Sequence, residues 1–290
     1  MINNDQNSFE QLISKIASTN TLKDGDYLDD EDFLICGKCH TRKQCEVNFL
    51  EKLSKKPCLC KCAQAERNAE QRQREQEIFE QRVYNLRREG ITDQLYLQST
   101  FANDDWRDEK ISRLCRKYVD QWESMRQGNH GILFYGSVGT GKTFLAACIA
   151  NAVIDKGISA KVTSFPRILN ELQNSTGIDR QRIIDSLNRY ELLVIDDLGA
   201  ERDTGYSIEQ MYNVVDTRYR SGKPLIVTTN LSSEDLSTAP LQYKRIYDRI
   251  NEMCVIPLKM AGESRRAQQA NANREAARQI LAVAGSTEVS

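Results

Sequence analysis

No apolar run in these 290 residues approaches the length needed to cross a bilayer, so an integral membrane protein is not expected. The chain also lacks a dominant charge. Its 40 Lys and Arg residues balance 41 Asp and Glu residues, which excludes a whole-molecule basic field. Any nucleic-acid contact must then come from local patches. The opening segment Met1-Ile2-Asn3-Asn4-Asp5-Gln6 is polar and acidic, unlike a signal peptide. A soluble, cytoplasmic protein with no membrane partner is expected, its nine cysteines mostly reduced.

Cysteine is scarce over most of the chain and dense in one place. Only Cys115, Cys148 and Cys254 lie beyond residue 62, in apolar or helical contexts that suit ordinary buried thiols. The other six fall between Cys36 and Cys62. Cys36-Gly37-Lys38-Cys39 is a C-x-x-C knuckle, and Cys58-Leu59-Cys60-Lys61-Cys62 supplies a second group after residues 40–57. Two close groups at this separation fit a structural zinc site. Four thiolates would close a tetrahedron and fold a segment too poor in apolar residues to fold alone. Cys36, Cys39, Cys60 and Cys62 are the expected ligands, with Cys58 the alternate to Cys60 and His40 or Cys45 as weaker candidates. A full thiolate set leaves no open position for chemistry.

Ahead of this cluster, Phe9, Leu12, Ile13 and Ile16 repeat with helical spacing. After it, Ala63 to Glu89 is almost entirely Glu, Gln, Arg and Ala, with a thin apolar stripe of Ile78, Val83 and Leu86. Sustained heptads are missing, so a solvated helical linker is expected and a coiled coil is not. A further amphipathic helix is expected over about 109–125. Apolar β-like runs then recur at Gly131–Tyr135, Ala160–Ser164, Leu192–Asp196, Leu225–Thr229 and Val255–Leu258, separated by helical patterns. Strands alternating with helices imply an α/β fold whose parallel sheet is covered on both faces. The expected division is a zinc-binding, partner-docking domain at 1–64, a charged helical linker at 65–95, a nucleotide-binding domain at 96–275 and a polar tail at 276–290.

The most specific stretch is Gly136-Ser137-Val138-Gly139-Thr140-Gly141-Lys142-Thr143, which fits G-x-x-x-x-G-K-[ST] at every constrained position. It stands between an apolar strand and the helical run from Thr143-Phe144 onward. Loops of this kind turn backbone N–H groups onto the phosphates of a nucleotide, at the positive end of a helix dipole. Lys142 reaches the β- and γ-phosphates, and the Thr143 hydroxyl ligates Mg²⁺. Leu192-Leu193-Val194-Ile195-Asp196-Asp197 supplies the other half: an apolar strand ending in two carboxylates. Asp196 is placed to hold Mg²⁺ with Thr143, and Asp197 to polarise the attacking water. Asn230, ending the strand that begins at Leu225, would orient that water. Arg245 and Arg249 stand one helical turn apart and could reach a neighbouring subunit's phosphates. An arginine of Gly262-Glu263-Ser264-Arg265-Arg266 could contact the γ-phosphate. Basic and aromatic candidates for DNA contact are Lys156, Lys161, Arg167, Arg218, Arg220 and Lys223, with Phe165, Tyr212 and Tyr219 as stacking groups.

Taken in order, these motifs resemble AAA+ P-loop ATPases. The Asp196-Asp197-Leu198-Gly199-Ala200-Glu201 segment narrows the likeness to the replicative helicase loaders of bacteria and their phages, the DnaC/DnaI type, close to the IstB-type transposition helpers. The resemblance covers about residues 96–275. It implies ATP with Mg²⁺ as cofactor, slow ATP hydrolysis, single-stranded DNA binding, self-association through the ATPase domain and a hexameric replicative helicase as partner. It implies that Asn230 is a sensor of the γ-phosphate, Arg245 an arginine finger with Arg249 close by, and Arg266 a second sensor with Arg265 its alternate. Many such ATPases carry Glu where this chain has Asp197, one methylene shorter, and Glu201 is a nearby carboxylate that could assist.

Overall fold

The structure, a computed structural model, describes residues 25–49, 52–200 and 204–285. The helical pattern at Phe9–Ile16, the Glu201 carboxylate and the tail beyond residue 285 lie outside these residues. The chain divides into two units, residues 1–80 and 81–290.

In the first unit, β1 (Tyr27–Leu28) pairs antiparallel with β2 (Leu34–Ile35), and β3 (Gln44–Phe49) pairs antiparallel with β4 (Lys52–Pro57). Among the described residues, the buried apolar side chains are few: Phe33, Leu34, Ile35, Cys36 and Cys60. Polar contacts supplement them. Lys43 Nζ lies 2.6 Å from Asp26 Oδ2, both side chains nearly solvent-free, and Asp26 Oδ1 accepts a bond from Gly37 N at 3.0 Å. That pairing satisfies two charges that would be costly to bury alone. Helix α1 (Lys61–Gly90) begins directly after Cys60. Its middle is solvated and laced with i,i+4 contacts such as Gln73 to Glu77 at 2.9 Å and Gln76 to Glu80 at 2.7 Å.

The division at residue 80 falls inside α1. The expected apolar stripe separates accordingly: Ile78 is exposed, whereas Val83 and Leu86 pack against the core of the second unit. Arg87 pairs with Asp155, and Lys161 Nζ donates to Glu89 O at 3.1 Å.

In the second unit, α2 (Gln94–Gln98), a 3-10 turn at Phe101–Asn103, α3 (Glu109–Asp120) and α4 (Trp122–Gln127) precede a five-stranded sheet. The single helix expected over 109–125 is broken at Gln121. The interruption lets Trp122 bury, edge-on to Tyr118 at 6.2 Å. The strands and helices then alternate as β5 (Ile132–Gly136), α5 (Lys142–Asp155), β6 (Ala160–Ser164), α6 (Phe165–Gln173), α7 (Gly177–Arg189), β7 (Leu192–Leu198), α8 (Gly205–Ser221), β8 (Leu225–Thr229), α9 (Ser233–Ser237), α10 (Leu241–Met253), β9 (Ile256–Met260) and α11 (Arg265–Gly285). All five strands are parallel, in the order β6-β7-β8-β5-β9.

Burial on both faces explains the unbroken apolar runs. Successive residues alternate between two cores: Phe134 and Val194 face one, with Trp122, Ile149 and Ala150, while Leu133 and Ile195 face the other, with Met211, Val215 and Ile250. This is the expected α/β arrangement, a parallel sheet set among helices. The order sets β8 between β7 and β5, so the C-terminal ends of the acidic strand and the phosphate-loop strand are spaced by the end of β8.

Candidate nucleotide and metal sites

The phosphate loop leaves β5 and turns into α5. Gly136 (φ 120°) and Gly139 (φ 80°) lie in the left-handed region, and a Cβ at either would meet Met260 O at 2.3 Å or Ser264 Oγ at 2.1 Å. Glycine is therefore required at both for conformation and for space. Thr140 Oγ1 donates to Ser137 O at 2.9 Å, bracing the turn. Lys142 is buried and folds back along the loop, its ammonium donating to Gly136 O at 2.8 Å and Ser137 O at 2.6 Å. Burial lowers its pKa, opposed by the charges of Asp197 and Asp196. The first-turn N–H groups of α5 lack intrahelical partners and face the same concavity.

Asp196 meets Thr143, and Lys142 and Asp197 lie close enough to act on each other's titration. Asp196 is buried, and its Oδ1 accepts from Thr143 Oγ1 at 2.8 Å and from the Thr228 hydroxyl of β8. Asp197 adopts φ 56° at a bulge where the β7–β8 register shifts between Ile195 and Leu198. Its amide donates to Thr228 Oγ1 at 3.1 Å, which holds this uncommon conformation. The bulge breaks the strand's alternation, so one carboxylate is buried and the next is half-exposed. Burial raises the pKa of Asp197, reinforced by the charge of Asp196 and opposed by Arg266 and Lys142.

The remaining candidates are placed as follows. Asn230 follows β8 and is exposed. Arg266 is exposed at the start of α11, close enough to act on the titration of Asp197 and Lys142. Arg265, its alternate, is tied down: its backbone N donates to Gly139 O at 2.8 Å and its guanidinium pairs with Asp105 at 3.0 Å. Val138 is exposed at the loop tip, and Phe144 sits under the Arg265 guanidinium. The two arginines of α10 separate. Arg245 is exposed, while Arg249 pairs with Asp216 at 2.7 Å and lies over the Tyr212 ring. A cavity of about 360 Å³ beside the loop is lined by Arg107, Asp108, Thr140, Met260, Gly262 and Arg265.

Several of the basic and aromatic groups considered for DNA contact are turned inward, which corrects that expectation. Phe165 is a core residue. Arg218 is fully buried and donates to the carbonyls of Tyr190, Glu191 and Pro224; burial lowers its pKa to about 9. Lys161 donates to Glu89 O and Lys223 pairs with Glu191, both half-buried, whereas Lys156, though it donates to Val119 O, is exposed. Arg167 is exposed, as is Arg220, which pairs with Asp216.

Two residues escaped the sequence reading. Thr228 was signalled only by the polar end of an otherwise apolar strand. Tyr96 had no local signal: its hydroxyl donates to Asp196 Oδ2 at 3.1 Å from a hundred positions upstream.

In the first unit, the Sγ atoms of Cys36, Cys39, Cys60 and Cys62 all lie within 4.8 Å of one another. Cys36 and Cys62 are 3.5 Å apart, and Cys60 and Cys62 are 3.2 Å apart. Thiolates around a tetrahedral zinc with 2.3 Å bonds stand about 3.8 Å apart, so the donor set fits that ion in number, chemistry and spacing. The alternate, Cys58, is outside the group and directs its Sγ towards Arg42 O. The knuckle is pre-polarised for thiolate. N–H groups of Cys39 and Lys38 lower the Cys36 thiol, and the Thr41 hydroxyl holds the Cys39 thiol down to about 5. The Cys62 thiol, hydrogen-bonded to Cys60, is pushed up to about 12. The His40 imidazole is not among the four; it contacts Tyr27.

Among proteins of known sequence, the family described as IstB-like ATP binding protein matches residues 72–273. The replicative helicase loader DnaC of Escherichia coli strain K12 is 29% identical over 47% of this chain and 55% of its own length. The replicative helicase loader DnaI of Bacillus subtilis strain 168 is 25% identical over 62% of this chain and 64% of its own. The chain thus spans about half to two thirds of the length of these curated relatives. The crystal structure of DnaI superposes with a TM-score of 0.50 at 24% identity, covering 60% of this chain and 94% of that one, a likeness of fold.

Proposed function

The chain belongs to the IstB-like ATP binding protein family, and from that membership we propose that it is an ATP-hydrolysing loader of a hexameric replicative helicase. The observation that carries the nucleotide half of this reading is the convergence of Lys142, Thr143, Asp196 and Asp197 at the mouth of the phosphate loop. In this reading the loop's N–H groups and Lys142 hold the phosphates. The Thr143 hydroxyl and the Asp196 carboxylate would hold Mg²⁺, which would neutralise charge on the phosphates. Asp197, half-exposed and raised in pKa, accepts the proton of the attacking water, and Asn230 orients that water. The cavity beside Thr140 and Arg265 takes the adenosine. Arg266 acts on the γ-phosphate in the same chain. Arg245, exposed on α10, is free to reach a neighbouring subunit's nucleotide, whereas Arg249 is held by Asp216 and steadies α10.

The helicase half rests on the loaders among the relatives. The four-thiol unit, holding zinc, serves as the docking domain at 1–64; the 65–95 linker, largely α1, connects it to the ATPase domain at 96–275, and 276–290 is a polar tail. Single-stranded DNA binds the assembled ATPase domains in the cytoplasm.

The test uses the purified chain with the replicative helicase of its own host. Sizing should show a complex, and the helicase should reach closed single-stranded circles only with both proteins and ATP present. Lys142→Ala should bind ATP about 100-fold more weakly, the loss expected for charge-assisted bonds to phosphate. No complex with the helicase, alongside one with a transposase, would replace this reading with the transposition helper. Unchanged ATP affinity in the variant would sink the phosphate-loop assignment.

A further inference from the structure

We infer that Tyr96 is a positioning residue for the magnesium carboxylate, fixing Asp196 so that the site can take up Mg²⁺; this rests on the nucleotide reading above. Asp196 is held by three hydroxyls from three separate segments. Thr143 of α5 and Thr228 of β8 donate to Oδ1, and Tyr96 of α2 donates to Oδ2 at 3.1 Å. Two bonds on one oxygen leave rotation about the carboxylate's own bond free. A third on the other oxygen fixes its plane.

The phenol is suited to this. A tyrosine phenol keeps its proton at neutral pH, so the hydroxyl remains a donor. Its backbone is also fastened. Asn151, buried on α5, donates its amide to Tyr96 O at 2.8 Å, Ser99 O at 2.9 Å and Ala147 O at 3.1 Å, which locks α2 onto the helix that follows the phosphate loop. Asp93 caps α2, accepting from Leu95 N at 2.8 Å. The hydroxyl is thus carried on a short helix held at both ends. It supplies the orientation of a ligand from behind, as outer-shell partners of metal sites do.

Removing this one oxygen leaves Asp196 Oδ2 unsatisfied in a buried position and lets the carboxylate turn. The phosphate contacts of Lys142 and the loop amides are untouched. The consequence is selective: magnesium affinity falls while metal-free nucleotide affinity does not.

The experiment is Tyr96→Phe in the full chain, with a fluorescent ATP analogue titrated in EDTA and then across Mg²⁺ concentrations, and thermal unfolding recorded beside it. The Mg²⁺ concentration at half-effect should rise about tenfold, with EDTA-bound affinity and melting temperature near the wild-type values. An unmoved Mg²⁺ midpoint overturns the role of Tyr96. So does a loss of metal-free binding together with a lower melting temperature, which marks the hydroxyl as a part of the fold alone. If the wild-type chain binds no nucleotide in either condition, the nucleotide reading fails and this inference with it; wild-type binding with an unmoved midpoint fails the inference only.

Discussion

The two units solve the problem of holding a site in opposite ways. At the mouth of the sheet, β7 and β8, buried along almost their whole length, and β5 beside them fix the strand ends before any ligand arrives. The phosphate loop, Asp196 and Thr228 then sit on a frame whose stability comes from apolar burial elsewhere. The cysteine unit has no such frame. Among the described residues, Phe33, Leu34, Ile35 and two small hairpins surround four thiols, and two of those thiols, Cys36 and Cys60, are themselves buried in the interior. In the first case the core makes the site; in the second the site must make the core.

The sharpest test of this contrast is metal removal. Chelation, or Cys39→Ser, should unfold residues 25–62 while the sheet keeps its structure, because metal binding in such units is worth on the order of 10 kcal/mol of folding free energy. Hydrogen exchange on the full chain reads both units in one experiment. Protection of residues 25–62 that survives metal removal would erase the distinction drawn here.

A smaller effect is expected at the sheet. Asp197→Asn should cut ATP hydrolysis about 1,000-fold, within the range for loss of a general base, while leaving the fold intact. It should also stabilise the protein at neutral pH. The folded-state pKa of Asp197 is raised above its ordinary 3.8, so the protonated carboxyl's contribution to stability is present at low pH and is lost as pH rises through the folded value. Above that, the ionised group is a cost that asparagine removes. The melting-temperature advantage of the variant should therefore grow as pH rises from the ordinary 3.8 through the raised folded value. An advantage that shrinks over that range would contradict the sign.

The smallest effects separate the two arginines of α10. Arg249→Ala should cost about 1–2 kcal/mol in chemical denaturation, from the lost Asp216 bond and the Tyr212 face. Arg245→Ala should change stability by less than about 0.5 kcal/mol and lower hydrolysis only at protein concentrations where subunits meet. The reverse pattern would assign the finger to Arg249.

Much of this was legible in the chain because it is written locally. The phosphate loop is one contiguous motif, and the five strands appear within about two residues of their expected ends because double-faced burial demands unbroken apolar runs. The four thiols that meet are the four named from spacing, since a C-x-x-C knuckle and a C-x-C pair each fold on themselves before they meet. Tyr96 was illegible for the opposite reason. Its bond to Asp196 spans a hundred residues and leaves no period or motif in its own neighbourhood. Arg218 misled because an arginine on a helix reads as solvated, and only the carbonyls that converge on it show why this one is buried.

The sequence by itself determined the five sheet strands, the phosphate loop and the acidic strand end, which are properties of residues adjacent in the chain, and it named the thiols from two local groups. Tertiary structure alone decided that β8 lies between β7 and β5, that Arg249 is spent on Asp216 while Arg245 is not, and that Tyr96 closes the third side of Asp196. Those outcomes depend on which distant segments the packing of two cores brings within hydrogen-bonding distance, and no short stretch of sequence carries that information.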